Sequence, residues 1–154
     1  QIMRDSDNPV AILHNRASIK ASAGPIIAND VLAASPTAFT ALATDTDIIS
    51  VSSINLPGQR IMWRISAVAY NPGIDAAQVK VWGSIGTTVT TPIQRALLQP
   101  GEYRTFSLSW VTAAAFAKAT TLRLRGRQES GASYVQFLND ANGSTSLQVE
   151  LWDG

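Results

Sequence analysis

The side chains of this sequence offer few of the combinations on which enzyme catalysis depends. His14 is the only histidine and there is no cysteine, so a Ser-His-Asp triad would have to use His14, and a cysteine nucleophile is excluded. No Gly-x-Ser-x-Gly motif, which exposes the nucleophile of many hydrolases on a sharp turn, occurs in the sequence. We therefore predict that the protein is not an enzyme and that His14 makes surface contacts.

Two acidic side chains, Asp45 and Asp47, are spaced so that they share one face of a strand. Such a pair could hold a calcium ion together with backbone carbonyls, and the sequence leaves this alternative open. In most proteins a pair of this kind is simply solvated at the start of a strand, and we adopt that interpretation. No metal and no other cofactor is predicted.

Three arginines, Arg123, Arg125 and Arg127, alternate along a predicted strand, which places their guanidinium groups on one face, about 7 Å apart. A phosphate backbone or an acidic sugar could bind there. The formal net charge of +1 provides no general attraction to nucleic acid or to an anionic membrane. Ion pairing with carboxylates on neighbouring strands or subunits is therefore the favoured interpretation. The candidate carboxylates are Glu129, Glu150 and Asp153.

The four tryptophans divide into two pairs by their strand register. Trp63 and Trp110 occupy inward positions and are predicted to lie in the core. Trp82 and Trp152 occupy outward positions. Exposed aromatic side chains on a sheet can bind sugars, but they are also enriched at subunit interfaces. We favour the interface because only 15% of the residues are charged, well below the usual ~25%.

A period-two alternation of apolar and polar residues runs through most of the sequence after residue 36. The segments with this character are 48–56, 59–70, 78–85, 103–110, 120–127, 134–138 and 145–152. Turn-forming pairs such as Pro57-Gly58 and Pro100-Gly101 separate several of them. The only helical candidate is the alanine run from Ala113 to Ala119, for which a crossing loop is the alternative. The pattern predicts an all-β, antiparallel sandwich of about eight strands.

Residues 1–36 lack a sustained period of either kind and contain Pro9, Pro25 and Pro36, each of which disfavours a helix at the residue before it. We predict an extended N-terminal arm over 1–36 and a sandwich domain over 37–154. The absence of an initiator Met predicts a trimmed product, and no segment is long and apolar enough to span a membrane. The apolar residues predicted to dock the arm are Val10, Ile12, Leu13, Ile26, Ile27, Val31 and Leu32.

The order of these features from about residue 44 onward resembles the TNF/C1q-like jelly roll. The matching pieces are Leu56-Pro57-Gly58-Gln59, the strand from Ile61 to Ala67, the strand from Leu122 to Arg127, and a Gly-Ser turn before Ser146 to Trp152. The resemblance implies a jelly-roll sandwich that forms compact trimers, with the last strand beside the threefold axis. The candidate trimer interface consists of Leu147, Val149, Leu151, Trp152, Arg123, Arg125 and Arg127.

The same architecture is similar to that of small bacteriophage virion proteins. The resemblance therefore implies a structural protein of the virion, most specifically a homotrimeric capsid decoration or cement protein that stabilises the phage head. Its expected partners are further copies of itself and the major capsid protein, with neither nucleic acid nor membrane. The alternative is a trimeric fibre-tip knob that binds a host receptor or carbohydrate through Trp82, Tyr70 or Tyr134.

Overall fold

The computed structural model describes residues 26–55, 58–113, 115 and 119–152, with the backbone alone at 53–55, 119 and 120. Most of the predicted arm, including Val10, Ile12, Leu13 and His14, lies outside the described residues, as does most of the alanine run. The described residues contain twelve strands and no helix, and therefore no helix that could cross a membrane.

The strands are named in chain order. They are β1 (Ile26–Val31), β2 (Thr37–Ala38), β3 (Thr46–Asn55), β4 (Arg60–Tyr70), β5 (Ala77–Ile85), β6 (Thr88–Val89), β7 (Gln94–Leu98), β8 (Tyr103–Val111), β9 (Ala119–Gln128), β10 (Gln136–Asp140), β11 (Gly143–Ser144) and β12 (Ser146–Trp152).

The first sheet is four strands wide, although seven strands contribute to it. β4 pairs along its length with β8 on one side, and on the other side with β12 and then β10. β10 and β12 therefore form one interrupted strand, from which the small β10–β11 hairpin projects. β1 and β2 form the outermost position, because β1 pairs with β12 and β2 pairs with β10.

The second sheet has the order β3, β9, β5, with β7 and β6 sharing the outer side of β5. When interrupted strands are counted as one, the sandwich has eight strands, and first pairs with last, second with seventh, third with sixth and fourth with fifth. All of these pairs are antiparallel. This is the winding of a jelly roll, and it confirms the predicted fold class.

The core lies between the two sheets and follows the predicted alternation. All five inward side chains of β4 are buried, and Trp63, the largest of them, is fully covered. Leu122 and Leu124 of β9 and Leu147 and Val149 of β12 are also fully buried. Each large apolar side chain removed from water in this way contributes about 1.5–3 kcal/mol to folding.

Gly83 of β5 allows the two sheets to approach each other at Trp63. A Cβ atom at position 83 would lie 2.8 Å from Cε3 of Trp63 and 2.9 Å from Cγ2 of Thr91, closer than van der Waals contact permits. The indole ring therefore occupies the space that any larger residue at position 83 would need. At the other end of the sandwich, Phe39 and Phe137 fill the core edge-to-face, with ring centroids 5.3 Å apart.

The sandwich begins before the predicted boundary at residue 37. β1 is hydrogen-bonded to β12, Ala28 and Leu32 are buried in the core, and the backbone N–H of Leu32 donates to the carbonyl of Thr145 at 2.9 Å. The stretch from Ile26 is thus the outermost strand of the first sheet. Leu32, predicted to dock the arm, is a core residue because it covers the inner side of this strand.

Trp110 has the inward register that was predicted for it, opposite Trp63, but it is 42% exposed rather than buried. The reason is its position. β8 is an edge strand, and the facing outer position of the second sheet is interrupted between Val89 of β6 and Gln94 of β7. Among the described residues, therefore, no strand continues the second sheet opposite the indole.

Candidate interaction surfaces

The outer surface of the second sheet, called here the charged face, carries most of the long ionic side chains of the described residues. Its members are Asp45, Asp47, Lys80, Trp82, Arg95, Arg123, Arg125, Arg127 and Glu129. Strand alternation places them together, because the residues between them on β5 and β9 point into the core.

The three arginines of β9 are ion-paired within the chain, as the favoured interpretation predicted. Nε of Arg125 donates to Oδ1 of Asp47 at 2.8 Å, and Nε of Arg127 donates to Oδ1 of Asp45 at 2.7 Å. Nε of Arg123 lies 3.3 Å from Oδ2 of Asp47. Asp45 and Asp47 face β9 directly, so these carboxylates hold guanidinium groups.

Of the carboxylates that the sequence suggested for this role, Glu129 is a weak partner, 4.0 Å from Arg127. Glu150 is not a partner, and that prediction is wrong because β12 lies in the other sheet, where Glu150 binds Arg64. Asp153 lies outside the described residues. No group of three or more His, Asp or Glu side chains in the described part of the chain could hold a metal ion.

Trp82 lies on the charged face, as its register predicted, but it is only 3% exposed. The prediction of an exposed aromatic side chain at this position is therefore wrong. β5 is a central strand with β9 and β7 on either side, and Arg125 lies directly opposite Trp82. Flanked in this way, the indole is covered although it points away from the core.

The outer surface of the first sheet, called here the serine face, has a different composition. Its central members are Asn29, Arg64, Ser66, Ser107, Ser109, Ser146, Gln148 and Glu150. The one ion pair among these residues joins Nε of Arg64 to Oε1 of Glu150 at 2.9 Å. Nε2 of Gln148 donates to the same oxygen at 2.7 Å, so the largely buried carboxylate has two partners.

The predicted trimer-interface residues of β12 do not share one surface. Leu147 and Val149 are fully buried in the core of the single chain, so they have no area left for a partner subunit. Leu151 is half-buried and packs against the same core. Trp152 is half-buried at an outward position opposite Arg60.

The sandwich is open between β6 and β7 on one side and the edge strand β8 on the other. These three strands, called here the open edge, carry the exposed apolar side chains of Val89, Leu97, Tyr103 and Trp110. Tyr103 and Trp110 lie at opposite ends of β8 and on opposite faces of it. The two sheets are joined across the opening by Nε2 of Gln94, which donates to the carbonyl of Ser107 at 2.9 Å. Trp and Tyr side chains are enriched at interfaces.

The loops at one end of the sandwich are held by two fully buried amides, Asn71 and Gln128. Nδ2 of Asn71 donates to the carbonyls of Asp75 and Leu98, at 2.8 and 3.1 Å. Nε2 of Gln128 donates to the carbonyls of Ser130 and Ser133, at 3.0 and 2.9 Å. These bonds fix the loops internally, so the side chains displayed on them are preorganised.

This loop end carries all three tyrosines of the chain. Tyr70 and Tyr103 stack with ring centroids 4.4 Å apart and 25° between their planes. Tyr134 is exposed on the neighbouring loop, and Ile74 is 88% exposed. The two loops are in contact, because Gly73 packs against Ser133. Two of the three aromatic residues nominated for a knob, Tyr70 and Tyr134, therefore lie at the same end of the molecule.

Glu102, in the turn before β8, is the acidic group whose ionisation the fold changes most clearly. The backbone N–H of Gln99 donates to its Oε1 at 2.8 Å, and Nε of Arg104 donates to its Oε2 at 2.8 Å. The backbone hydrogen bond, followed by the bond from Arg104, lowers the pKa of Glu102 below its ordinary value.

Sequence reasoning missed Arg95, Asn71 and Gln128 as contributors to these surfaces. The segment 94–98 shows no clear alternation of polar and apolar residues, so no strand was predicted there. The buried amides carry no signal in a single sequence, although Asn71-Pro72-Gly73 does indicate a turn. By contrast, the alternation of Arg123, Arg125 and Arg127 gave their shared face correctly.

Comparison with known proteins shows a similarity of fold, without a match in sequence. No family model and no curated protein matches the sequence. A chain in the structure of infectious bursal disease virus, Gx strain, superposes with a TM-score of 0.52 at 12% identity. The similarity covers 82% of this chain and 33% of the viral one, so this chain spans about a third of the length of that protein.

A second viral structure gives a weaker superposition. It is the VP2 subviral particle of infectious bursal disease virus, with a TM-score of 0.46, 13% identity, and coverage of 80% of this chain and 32% of the other. At these identities the similarity concerns the fold alone. The superposition on the Gx-strain chain supports the two-sheet β-sandwich described above.

Proposed function

We propose that this chain is a non-enzymatic structural protein of a virion. The observation that carries the proposal is the jelly-roll winding of the two sheets, a fold shared with a chain in the structure of a virus. The described residues present charged, polar and apolar faces on which contacts with other subunits could form. More specifically, we propose a trimeric decoration or cement protein on a bacteriophage head.

The open edge is the surface that best suits contact between copies of this chain. Trp110 and Tyr103 there are large and partly exposed, and Trp and Tyr are enriched among the residues that dominate the energy of interfaces. A stable assembly of this kind buries on the order of 2,000 Å² or more. The trimer predicted from the resemblance would then form through β7 and β8 rather than through Leu147 and Val149.

Attachment to the shell is proposed for the N-terminal residues. Val10, Ile12 and Leu13 are the residues predicted to dock the arm that precede β1, and Ile26 and Val31 are exposed on β1 itself. A protein that binds only the assembled shell favours that shell over its separated subunits. The partner in this proposal is the major capsid protein.

Co-sedimentation with phage heads that lack decoration tests this role. The full chain should pellet with the heads, and the triple variant V10S/I12S/L13S should remain in the supernatant while keeping the thermal unfolding of the wild type. Ile74→Ser, at an exposed apolar site outside the arm, is the matched control and should pellet. Equal binding by the triple variant would exclude the arm as the attachment, and no binding by the wild type would exclude a role on that head.

A fibre-tip knob is the second candidate, favoured by the preorganised loop end with its three tyrosines. Tyrosine supplies a large amphipathic surface at a small cost in side-chain entropy. Trp82 is unavailable to a ligand because it is covered. A glycan array probed with the wild type and with Y103A/Y134A distinguishes the candidates: the knob requires a saccharide bound by the wild type and lost in the variant, and an array without signal counts against it.

A further inference from the structure

The charged face has more cations than its own carboxylates can pair. Asp47 is shared by Arg123 and Arg125, and Asp45 is bound by Arg127. Glu129 lies 3.2 Å from Nζ of Lys80 and 4.0 Å from Arg127. Arg95, which is exposed on β7, has no ion pair with any residue that the structure describes.

The unpaired charge lies at the end of a row of cations. Lys80 is directly opposite Arg127 on one neighbouring strand and directly opposite Arg95 on the other. Neighbouring strands are about 4.8 Å apart, and like charges placed directly opposite each other destabilise a sheet. Glu129 and Asp45 offset this repulsion at Lys80 and Arg127, whereas the charge of Arg95 has no such partner among the described residues.

Protection of a sheet edge does not explain the row. A charge such as Arg95 on the edge strand β7 discourages unwanted pairing with another chain. Lys80, however, is on the central strand β5, where both edges are already paired. A surface depression beside the row is lined by Gln78, Lys80, Arg95 and Glu129, so polar side chains of a partner could reach both cations.

We propose that the row Arg127–Lys80–Arg95 docks an acidic segment of a partner protein. One carboxylate of the segment would pair with Arg95, and another would share Lys80 with Glu129. A continuous polyanion fits less well, because Asp45, Asp47 and Glu129 lie among the cations and would repel it. The net charge of +1 also gives no general attraction to nucleic acid. The inference rests on the proposed virion role and adds the chemistry of the partner.

A labelled octapeptide in which glutamate alternates with serine, so that its carboxylates are spaced apart, tests the proposal on the full chain by fluorescence anisotropy at low ionic strength. We expect saturable binding by the wild type that weakens as salt is added. Arg95→Gln should weaken it about fivefold, the effect of losing one charged contact, and Arg95→Lys should restore most of it. Arg60→Gln removes one positive charge from the other sheet, and this matched control should change the affinity less than about twofold.

A second measurement locates the bound peptide and tests the nucleic-acid alternative. Backbone amide shifts in a nitrogen–proton correlation spectrum should change on β5, β7 and β9 and not on β4 or β8. The proposal is overturned by the absence of saturable binding, by an equal loss in Arg60→Gln, or by tighter binding of single-stranded DNA of the same length. Shell binding through the arm is measured separately, so it can persist when the peptide assay fails.

Discussion

The charged face and the serine face lie on opposite sides of one core, and their ion pairs are built in different ways. On the charged face, carboxylates are shared, so that Asp47 contacts both Arg123 and Arg125 and stays partly exposed to solvent. On the serine face, the carboxylate of Glu150 is largely buried and has one guanidinium partner, that of Arg64. The comparison teaches that pairs with shared, partly exposed carboxylates should contribute less per residue than one pair whose carboxylate is largely buried.

Both faces depend on the same core, and a substitution there should have the largest effect. Gly83→Val should destabilise the fold by about 2–3 kcal/mol, because the new side chain must displace Trp63 or Thr91. Gly101→Ala is a useful reference, since its positive φ of 74° is strained for alanine but nothing lies near its Cβ. It should lose about 1 kcal/mol. Chemical denaturation measures both, and an equal loss in the two variants would contradict close packing at Gly83.

The Arg64–Glu150 pair of the serine face, whose carboxylate is largely buried, should be the next most sensitive site. Arg64→Met removes the guanidinium partner of Glu150 and leaves only Gln148 to donate to that carboxylate. Because a buried charge without its partner is costly, we expect a loss of about 1–2 kcal/mol at pH 7. The loss should shrink when Glu150 is also replaced by Gln. A loss of stability smaller than that in Arg125→Met would contradict the larger contribution expected of the Arg64–Glu150 pair.

The shared pairs of the charged face should tolerate substitution better. In Arg125→Met, Asp47 keeps Arg123 at 3.3 Å and is partly solvated, so we expect a loss of about 0.5–1 kcal/mol. Ser109→Ala on the serine face, which removes no ion pair, should stay within about 0.5 kcal/mol of the wild type. Urea unfolding at low and high salt checks this, because only the Arg125 effect should decrease with salt.

The smallest effect concerns pH and the turn before β8. The folded state lowers the pKa of Glu102, so its ionised form stabilises the fold above the ordinary glutamate pKa of about 4.3. That contribution is lost as the pH falls below this value through the lowered pKa. In Glu102→Gln the melting temperature should fall less steeply below pH 4.5 than in the wild type. Parallel curves for the two proteins would exclude this role of Glu102.

The sequence predicted the fold well where period two is long and uninterrupted. β4, β9 and β12 show this, because each alternates for seven residues or more and was predicted as a strand, although the apolar face of β12 was assigned to a trimer interface and lies in the core. β1 and β7 were not predicted, since β1 is short and lies in a proline-punctuated region, and β7 has no clear alternation. Register gave the direction of every tryptophan and the burial of Trp63, but not the burial of Trp82 and Trp110, which depends on neighbours that a single sequence does not reveal.

The same limit applies to the interaction surfaces. The arginines of β9 were placed on one face correctly, but their partners Asp45 and Asp47 were known only after β3 was seen beside β9. The residues of the row Arg127–Lys80–Arg95 lie on three different strands, β9, β5 and β7, so no local sequence pattern predicts that they are neighbours. Pairing across strands is a property of topology, and topology was not fixed by the sequence pattern.

The solution mass of the full chain by light scattering bears most directly on the proposed assembly role. We predict a particle of three times the chain mass of 16.4 kDa, stable on dilution through the micromolar range. Trp110→Ser should shift it toward the monomer, because it removes the largest exposed side chain of the open edge, whereas Ile74→Ser should not. A wild-type protein that is monomeric at every concentration would contradict the trimer and the role proposed for the open edge.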